Sequence, residues 1–418
     1  MKKPILGLIP SAYQGGVIYG KVYSILPVNG DGDFLFLRNS NATRVKENGL
    51  IENVDNNVPR LDWLNSNCPS LLLEPQRTNL ALYSENFEGT NWSAGNTVIT
   101  QNDSIAPSGE QTAIKLQRTS TSASYRTHFI YKSASAITYT TSVFVKQGED
   151  NYFAMRSQGS YPSRVDIRFR FDTGLIYYAQ ATSGFTLIDY NVENYSNGWY
   201  RIYFTYTSDT NTTLSLTFSP RETDGNIDSS DTSSTSFAYV WGFQTEVGNY
   251  LTSYIKTEGS AITRFNDQCL NGGNGNLFDI TEGTFFVDVT PYKGGVYHYI
   301  SLNSGNNQNR IIFIFNNTNT SYTARVVSSG STQLNDTRTI TFETRNKIAI
   351  SLKQNDVKIF LNGIEVASFT NFIMPNDLDR LSFAIYASTD NFFQGKVHDT
   401  RVYDRVLTEA ELIELTTL

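Results

Sequence analysis

Carboxylates come first, because two of them facing each other across a cleft are enough to cleave a glycosidic bond. Glu149-Asp150, Asp224 with Asp228, and Glu246 all fall near the ends of expected strands. The same side chains also suit calcium, a hard cation that takes oxygen ligands from loops. The plain alternative is a solvated loop surface. Asp224, Asp228 and Glu246 are therefore calcium candidates, and no residue is assigned as catalytic. The only histidines are His128, His298 and His398, scattered among strands without an i, i+4 partner or a metal-ligand spacing. No GxSxG, HExxH or P-loop pattern occurs, and the glycine-rich "LNGGNGN" lacks the preceding strand and following helix that phosphate cradling needs. Nucleotide chemistry has no support here.

Aromatic residues offer a different chemistry. Tyr152, Tyr161, Tyr177 and Tyr178, followed by Tyr190, Tyr195, Trp199 and Tyr200, crowd the middle of the chain. An exposed aromatic ring stacks on the apolar face of a sugar, although half or more of these rings must fill a core. Adjacent strand residues point to opposite faces, so one of Tyr177 and Tyr178 is expected outside. Tyr152, Tyr161, Tyr177 and Tyr178 are the glycan-binding candidates.

The elements that would position these residues are strands. With 25 Tyr and 26 Phe against 3 Met and 17% charged residues, the composition favours pleated sheet. From about 97 to 263, runs such as "TYTTSVFVK", "YFAMRSQ", "VDIRFRFD", "WYRIYFTYT" and "FAYVWGFQTE" alternate between turn clusters, which predicts a two-sheet antiparallel sandwich. In "VDIRFRFD", Val165, Ile167, Phe169 and Phe171 should be core, and Asp166, Arg168 and Arg170 should be wet. A second sandwich follows the linker-like "NDQCLNGGNGN". Within it, Asn362-Gly363 between two alternating runs specifies a tight hairpin. "LTEAELIEL" carries a capping-box spacing, Thr408 with Glu411, and predicts the one confident helix. The fold class is all-β: two antiparallel sandwiches after an extended N-terminal arm. The divisions are 1–79, 80–266 and 267–418.

The arm's pieces, "GKVYSILP" and "DFLFLRNS" with the turn segments "VNGDGD" and "KENGL", are too short to bury a core, so the arm is expected to order against something else. "LEPQRTNLALYSENFEGTNW" reads as the joint. Leu71 to Leu73 bury, Pro75 disfavours a helical Glu74, and Arg77 and Asn79 offer donors that tie carbonyls across a boundary. Tyr83, Phe87 and Trp92 would begin the first sandwich.

A net charge of −7 across 418 residues, without clustered Lys and Arg, argues against a nucleic-acid partner. Cys68 and Cys269 are too few and too far apart for a disulfide framework, which fits synthesis in a reducing compartment. "MKKPILGLIP" is broken by Gly7 and Pro10, so secretion through a signal peptide is not expected. Nothing approaches the ~18 apolar residues of a membrane span, and membrane insertion is not expected either. With no sustained heptad, any oligomer must be built by β-domains or the arm.

The stretch from "KPILGLIPSAYQGG" through the paired signatures "RNSNATRV" and "LLLEPQRTNL" to "GFQTEVGNYLTSYIKTEGSAITR" resembles structural proteins of tailed bacteriophages, especially those of phages infecting Bacteroidota. The resemblance covers roughly the first 265 residues. The middle domain is similar to carbohydrate-binding-module jelly rolls. Residues 275–418, with "LNGIEVASF" and "FQGKVHDTRVYDRVLTEAELIEL", resemble the concanavalin A-like, laminin-G-type sandwich. This implies a virion protein made in the host cytoplasm: a head or tail fibre or appendage subunit, commonly a homotrimer. It would be held to capsid or tail proteins through its N-terminal arm and would face host cell-surface polysaccharide. It carries over no calcium ligand set. The alternatives are a ligand-free capsid decoration or connector subunit and, from another class, a glycan depolymerase.

Overall fold

The structure, a computed structural model, describes residues 4–10, 21–22, 33–278, 281–294, 297–316, 318, 320–386 and 391–418. Of "GKVYSILP" only Lys21 and Val22, and of "VNGDGD" only Asp33, are among the described residues. The fold is all-β: among the described residues there are 32 strands and a single α-helix, Glu409–Thr416. No helix there is long and apolar enough to cross a membrane.

The chain divides into two compact units. One comprises Met1–Asn41, Val54–Gln76 and Phe265–Leu418, and the other Ala42–Asn53 and Arg77–Arg264. The chain crosses between the units at 41/42, 53/54, 76/77 and 264/265, so residues 1–79, expected as one arm, are divided between the two. Strand Leu6–Leu8 pairs with Thr400 to Val402, and strand Ser70–Leu73 pairs with Val397 to Gly395. The N-terminal strands thus extend a sheet of the C-terminal sandwich. That sheet runs Ile364–Phe369, Asp356–Leu361, Asn346–Lys353, Glu282–Pro291, Gly395–Tyr403, Ser70–Leu73, Leu61–Asp62, with Leu6–Leu8 also on Gly395–Tyr403. Leu6, Leu8, Leu71 and Leu73 reach 0–1% exposure in the same core as Phe285, Phe313 and Ile350, which explains why the arm needs no core of its own.

A five-stranded sheet closes this first sandwich: Ser331–Thr339, Ser321–Ser328, Arg310–Asn316, Tyr297–Asn303, Arg380–Ser382. Asn362 and Gly363 take φ values of 50° and 86°, the left-handed pair that the tight hairpin requires. Thr408 caps the helix, with Glu411 returning to the Thr408 backbone N–H.

The second unit is a sandwich of two six-stranded antiparallel sheets. One runs Thr97–Ser104, Ala113–Arg118, Phe237–Val247, Thr138–Gln147, Trp199–Thr207, Thr186–Tyr195. The other runs Leu175–Ala181, Arg164–Arg170, Tyr152–Gln158, Thr213–Arg221, Tyr125–Tyr131, Trp92–Gly95. Val165, Ile167, Phe169 and Phe171 are buried, and pack in one core with Val143, Val145, Ile202 and Phe204. Phe87 and Trp92 also lie in or against this core.

Candidate functional site

The second sheet of this unit sets the candidate site by alternation. In strand Tyr152–Gln158, Phe153 and Met155 enter the core, so Tyr152, Ala154, Arg156 and Gln158 take the outer face. The neighbouring strand places Arg164, Asp166, Arg168 and Arg170 opposite them: Tyr152 pairs with Arg170 and Arg156 with Asp166.

The third strand, Leu175–Ala181, departs from alternation. Its register with Arg164–Arg170 runs Arg168 to Tyr178 and then Phe169 to Ile176, which leaves Tyr177 as the extra residue of a β-bulge. The bulge breaks the period of two, so both tyrosines stand on the outer face rather than one. The Arg168 guanidinium lies 4.1 Å from the centre of the Tyr178 ring, and Asp224 accepts hydrogen bonds both from Arg168 Nη1 at 3.0 Å and from the Tyr177 hydroxyl. Tyr152 meets Tyr177 edge to face, ring centres 5.9 Å apart, with the Arg170 guanidinium 5.9 Å from the Tyr152 ring. Three of the four tyrosine candidates are therefore gathered. Tyr161 sits in the turn between the first two strands, 77% exposed, 5.7 Å from the Arg164 guanidinium.

The face expected to be wet is laced with ion pairs. Asp166 is only 7% exposed, held between Arg156 Nε at 2.6 Å and Arg164 Nε at 2.7 Å. The loop after strand Thr213–Arg221 is pinned at the edge of this face by the Arg168–Asp224 and Arg156–Asp228 pairs and by Arg221, whose Nη1 and Nη2 donate to the Ser229 and Ser230 carbonyls. Between loop and sheet lies a pocket of about 350 Å³, lined by Asn151, Tyr152, Asp172, Glu222, Thr223 and Asp224. The Tyr177 hydroxyl bond, then Arg168, holds the Asp224 carboxyl below its usual range; Arg156 does the same for Asp228. Desolvation and the Asp224 carboxylate push the Tyr177 hydroxyl up.

The calcium candidates are not brought together. Asp224 and Asp228 each face a guanidinium, and Glu246 is fully buried in strand Phe237–Val247, where it accepts from Thr252 N at 2.8 Å and Thr252 Oγ1 at 2.6 Å. Among the described residues no group of three or more His, Cys, Asp or Glu side chains is placed to hold a metal ion. His128 is fully buried, accepts from Leu82 N at 3.1 Å and packs on Trp92; burial pushes His128, His298 and His398 down to about 4. Cys68 is an exposed free thiol and Cys269 a buried one, which burial pushes up.

Of the joint residues, Asn79 is fully buried. It donates to the Phe243 and Ile255 carbonyls at 3.2 and 2.8 Å and accepts from Ala81 N and Thr245 N at 3.1 and 3.0 Å. The Arg77 guanidinium lies 5.2 Å from the centre of the Tyr250 ring. These contacts lie within the second unit. Sequence reasoning missed a larger clamp in the first: Arg38, Arg60, Glu74 and Asp267 meet with side chains at most 2% exposed. Asp267 accepts from Arg38 at 3.1 Å, from Arg60, and from Glu74 N at 2.9 Å; Arg60 reaches Glu74 at 2.7 Å. Arg38 opens "RNSNATRV" and Glu74 belongs to "LLLEPQRTNL", so both signatures feed this one cluster. Sequence reasoning also passed over Arg168 and Arg170 as ring partners, although their alternation with Phe169 placed them on the tyrosine face. The loop residues Glu222 and Thr223 gave no signal at all.

Residues 280–413 match the family described as the concanavalin A-like lectin/glucanases superfamily, in agreement with the laminin-G-type resemblance of that segment. No curated protein matches the chain. Among solved structures, the sialidase module CBM40 of Ruminococcus gnavus bound to α2,3-sialyllactose is 15% identical, covering 33% of this chain and 84% of its own, with a TM-score of 0.30. Domain 4 of AbnA, a GH43 extracellular arabinanase from Geobacillus stearothermophilus in complex with arabinotriose, is 16% identical over 40% of this chain and 82% of its own, TM-score 0.31. Mouse laminin α1 domains LG4-5 are 8% identical over 67% of this chain and 88% of their own, TM-score 0.25. Likenesses of this size carry no functional inference for the chain.

Proposed function

We propose that the chain is a non-catalytic glycan-adhesion protein whose tyrosine face in the second unit takes a sugar ring. The observation that carries this reading is the convergence of Tyr152, Tyr177 and Tyr178 on one sheet face beside a pocket lined with Asn151, Asp172 and Asp224. Aromatic faces suit the apolar side of a pyranose, and carboxylates and amides suit its hydroxyls. The electrostatics favour binding over cleavage. A general acid needs a raised pKa, yet Asp224 and Asp228 are held low. Asp150, pushed up to about 7 chiefly by desolvation, is fully buried and bonded to Ser236, out of reach of a substrate.

We further infer presentation on a tailed-bacteriophage particle, as a head or tail fibre or appendage subunit made in the host cytoplasm. The N-terminal region would meet other virion proteins, with three copies per assembly. The support is the resemblance of the first 265 residues. Many copies turn weak sites into firm attachment, gaining ~10² or more in apparent affinity where geometry allows.

A glycan array with the full chain, run beside a reducing-end release assay, tests the reading. Binding without release, with the signal of neutral glycans lost in Tyr177→Ala and Tyr178→Ala, is the expected result. Unchanged binding in both variants overturns the tyrosine face, release of reducing ends supports the depolymerase, and silence in both assays favours a ligand-free connector.

A further inference from the structure

The outer face of the five-stranded sheet in the first unit holds a second pocket, of about 440 Å³. Alternation decides its floor. In strand Arg310–Asn316, Ile311, Phe313 and Phe315 enter the core, while Ile312 and Ile314 point the other way and are still only 1% and 7% exposed. Tyr297, Tyr299, Arg310 and Arg325 stand around them, with the two tyrosine rings 6.3 Å apart and Arg325 directly across from Ile312.

The two arginines are set apart by having no carboxylate partner among the described residues. In this unit Arg338, Arg345, Arg380, Arg401 and Arg405 each sit within 2.7 Å of a carboxylate oxygen. Arg310 has no carboxylate partner among the described residues; its Nε and Nη1 are shut off from solvent, so Nη2 is the group it presents to the pocket. Arg325 gives its Nε to the neutral Asn335 Oδ1 at 2.7 Å. Burial first, and Arg325 second, disfavour the Arg310 charge. Two neighbouring guanidinium groups with no carboxylate against them among the described residues leave the pocket positively charged.

We propose that this pocket binds a carboxylate-bearing sugar, the carboxylate seated against Arg310 and Arg325 and the ring laid over the Ile312–Ile314 floor beside Tyr297 and Tyr299. A guanidinium fork matches a carboxylate with two parallel hydrogen bonds. An apolar floor with aromatic walls and a few convergent polar groups is the make-up of a ring-binding site rather than of a bare anion site. The inference deepens the adhesion reading by naming an acidic glycan, and it uses residues of the other unit, so the two can fail separately.

The test is an NMR titration of the full chain with methyl α-D-glucuronide, methyl α-D-glucoside and acetate. The first two differ only in the carboxylate at C6. The glucuronide should bind about tenfold or more tighter than either the glucoside or acetate, in line with the strength of charge-assisted bonds. Arg310→Gln should abolish that preference, and Tyr177→Ala should leave it intact. Equal binding of glucuronide and glucoside, acetate binding as tightly as glucuronide, a preference that survives Arg310→Gln, or no glucuronide binding would each overturn the proposal. If Arg310→Gln fails to fold by thermal unfolding, Arg325→Gln reads the same preference.

Discussion

Arg168 shows how much one side chain can organise: it sits over Tyr178 at 4.1 Å and pairs with Asp224, which also takes the Tyr177 hydroxyl. Arg168→Ala should therefore weaken glycan binding even though it removes no aromatic ring, because both tyrosines lose the group that fixes their orientation. Array signal equal to that of the parent chain would show the rings are held by other means. Asp150 supports a prediction about stability. Its folded pKa is raised to about 7 by desolvation, with a single acceptor bond from Ser236 at 2.8 Å and Oδ2 unsatisfied among the described residues. The folded chain then holds a proton that the unfolded chain, with an Asp near ~3.9, has already lost. Stability contributed by the protonated form is full below ~4 and is lost as pH rises through about 7, at up to about 1.4 kcal/mol per pH unit. Asp150→Asn should flatten this fall. Urea unfolding of both proteins at several pH values between these limits checks it, and parallel pH slopes would refute it.

At the scale of elements, most of the fold was legible. Runs such as "YFAMRSQ" and "WYRIYFTYT" became strands Tyr152–Gln158 and Trp199–Thr207, the hairpin turned at Asn362-Gly363, and the capping box opened the helix. The strands of the second unit that sequence reasoning did not single out include all four sheet edges: Thr97–Ser104, Thr186–Tyr195, Leu175–Ala181 and Trp92–Gly95. An edge strand has a neighbour on one side only and less core to fill, so polar residues enter it and alternation fades. The Tyr177 bulge lies in one of these edges, which is why the two adjacent tyrosines were misread as facing apart. The hairpin provides a check on turn chemistry. Gly363→Ala must hold a φ of 86° and bring a Cβ within 3.0 Å of Thr417 Oγ1. It should cost about 1 kcal/mol or more in chemical denaturation, whereas Thr408→Ala, which deletes the helix cap, should also cost about 1 kcal/mol but spare the hairpin. Unchanged denaturation midpoints would show that neither local feature limits stability.

For the molecule as a whole, the informative contacts join residues far apart in sequence. Asp267 accepts from Arg38 and Arg60, 229 and 207 positions away, in a site where the three side chains are fully excluded from solvent. Removing one member leaves buried guanidinium charge without its partner, so Asp267→Ala should destabilise the chain by about 3–5 kcal/mol in chemical denaturation. A loss under about 1 kcal/mol would mean the cluster relaxes into water. The same reasoning covers the N-terminal strands. A fragment beginning at Phe265 lacks Leu6–Leu8 and Ser70–Leu73 from its sheet, and should lose cooperative unfolding relative to the full chain. Sequence alone determined what depends on neighbours along the chain: strand period, turn glycines, the helix cap, and the outward placing of Arg168 and Arg170. Tertiary structure alone decided that strands Leu6–Leu8 and Ser70–Leu73 join the C-terminal sandwich, that Asp224 answers to Arg168 and Tyr177, and that Arg310 faces a pocket lined by no acid among the described residues. Those outcomes rest on which distant residues share a low-dielectric space, and no local spacing encodes that.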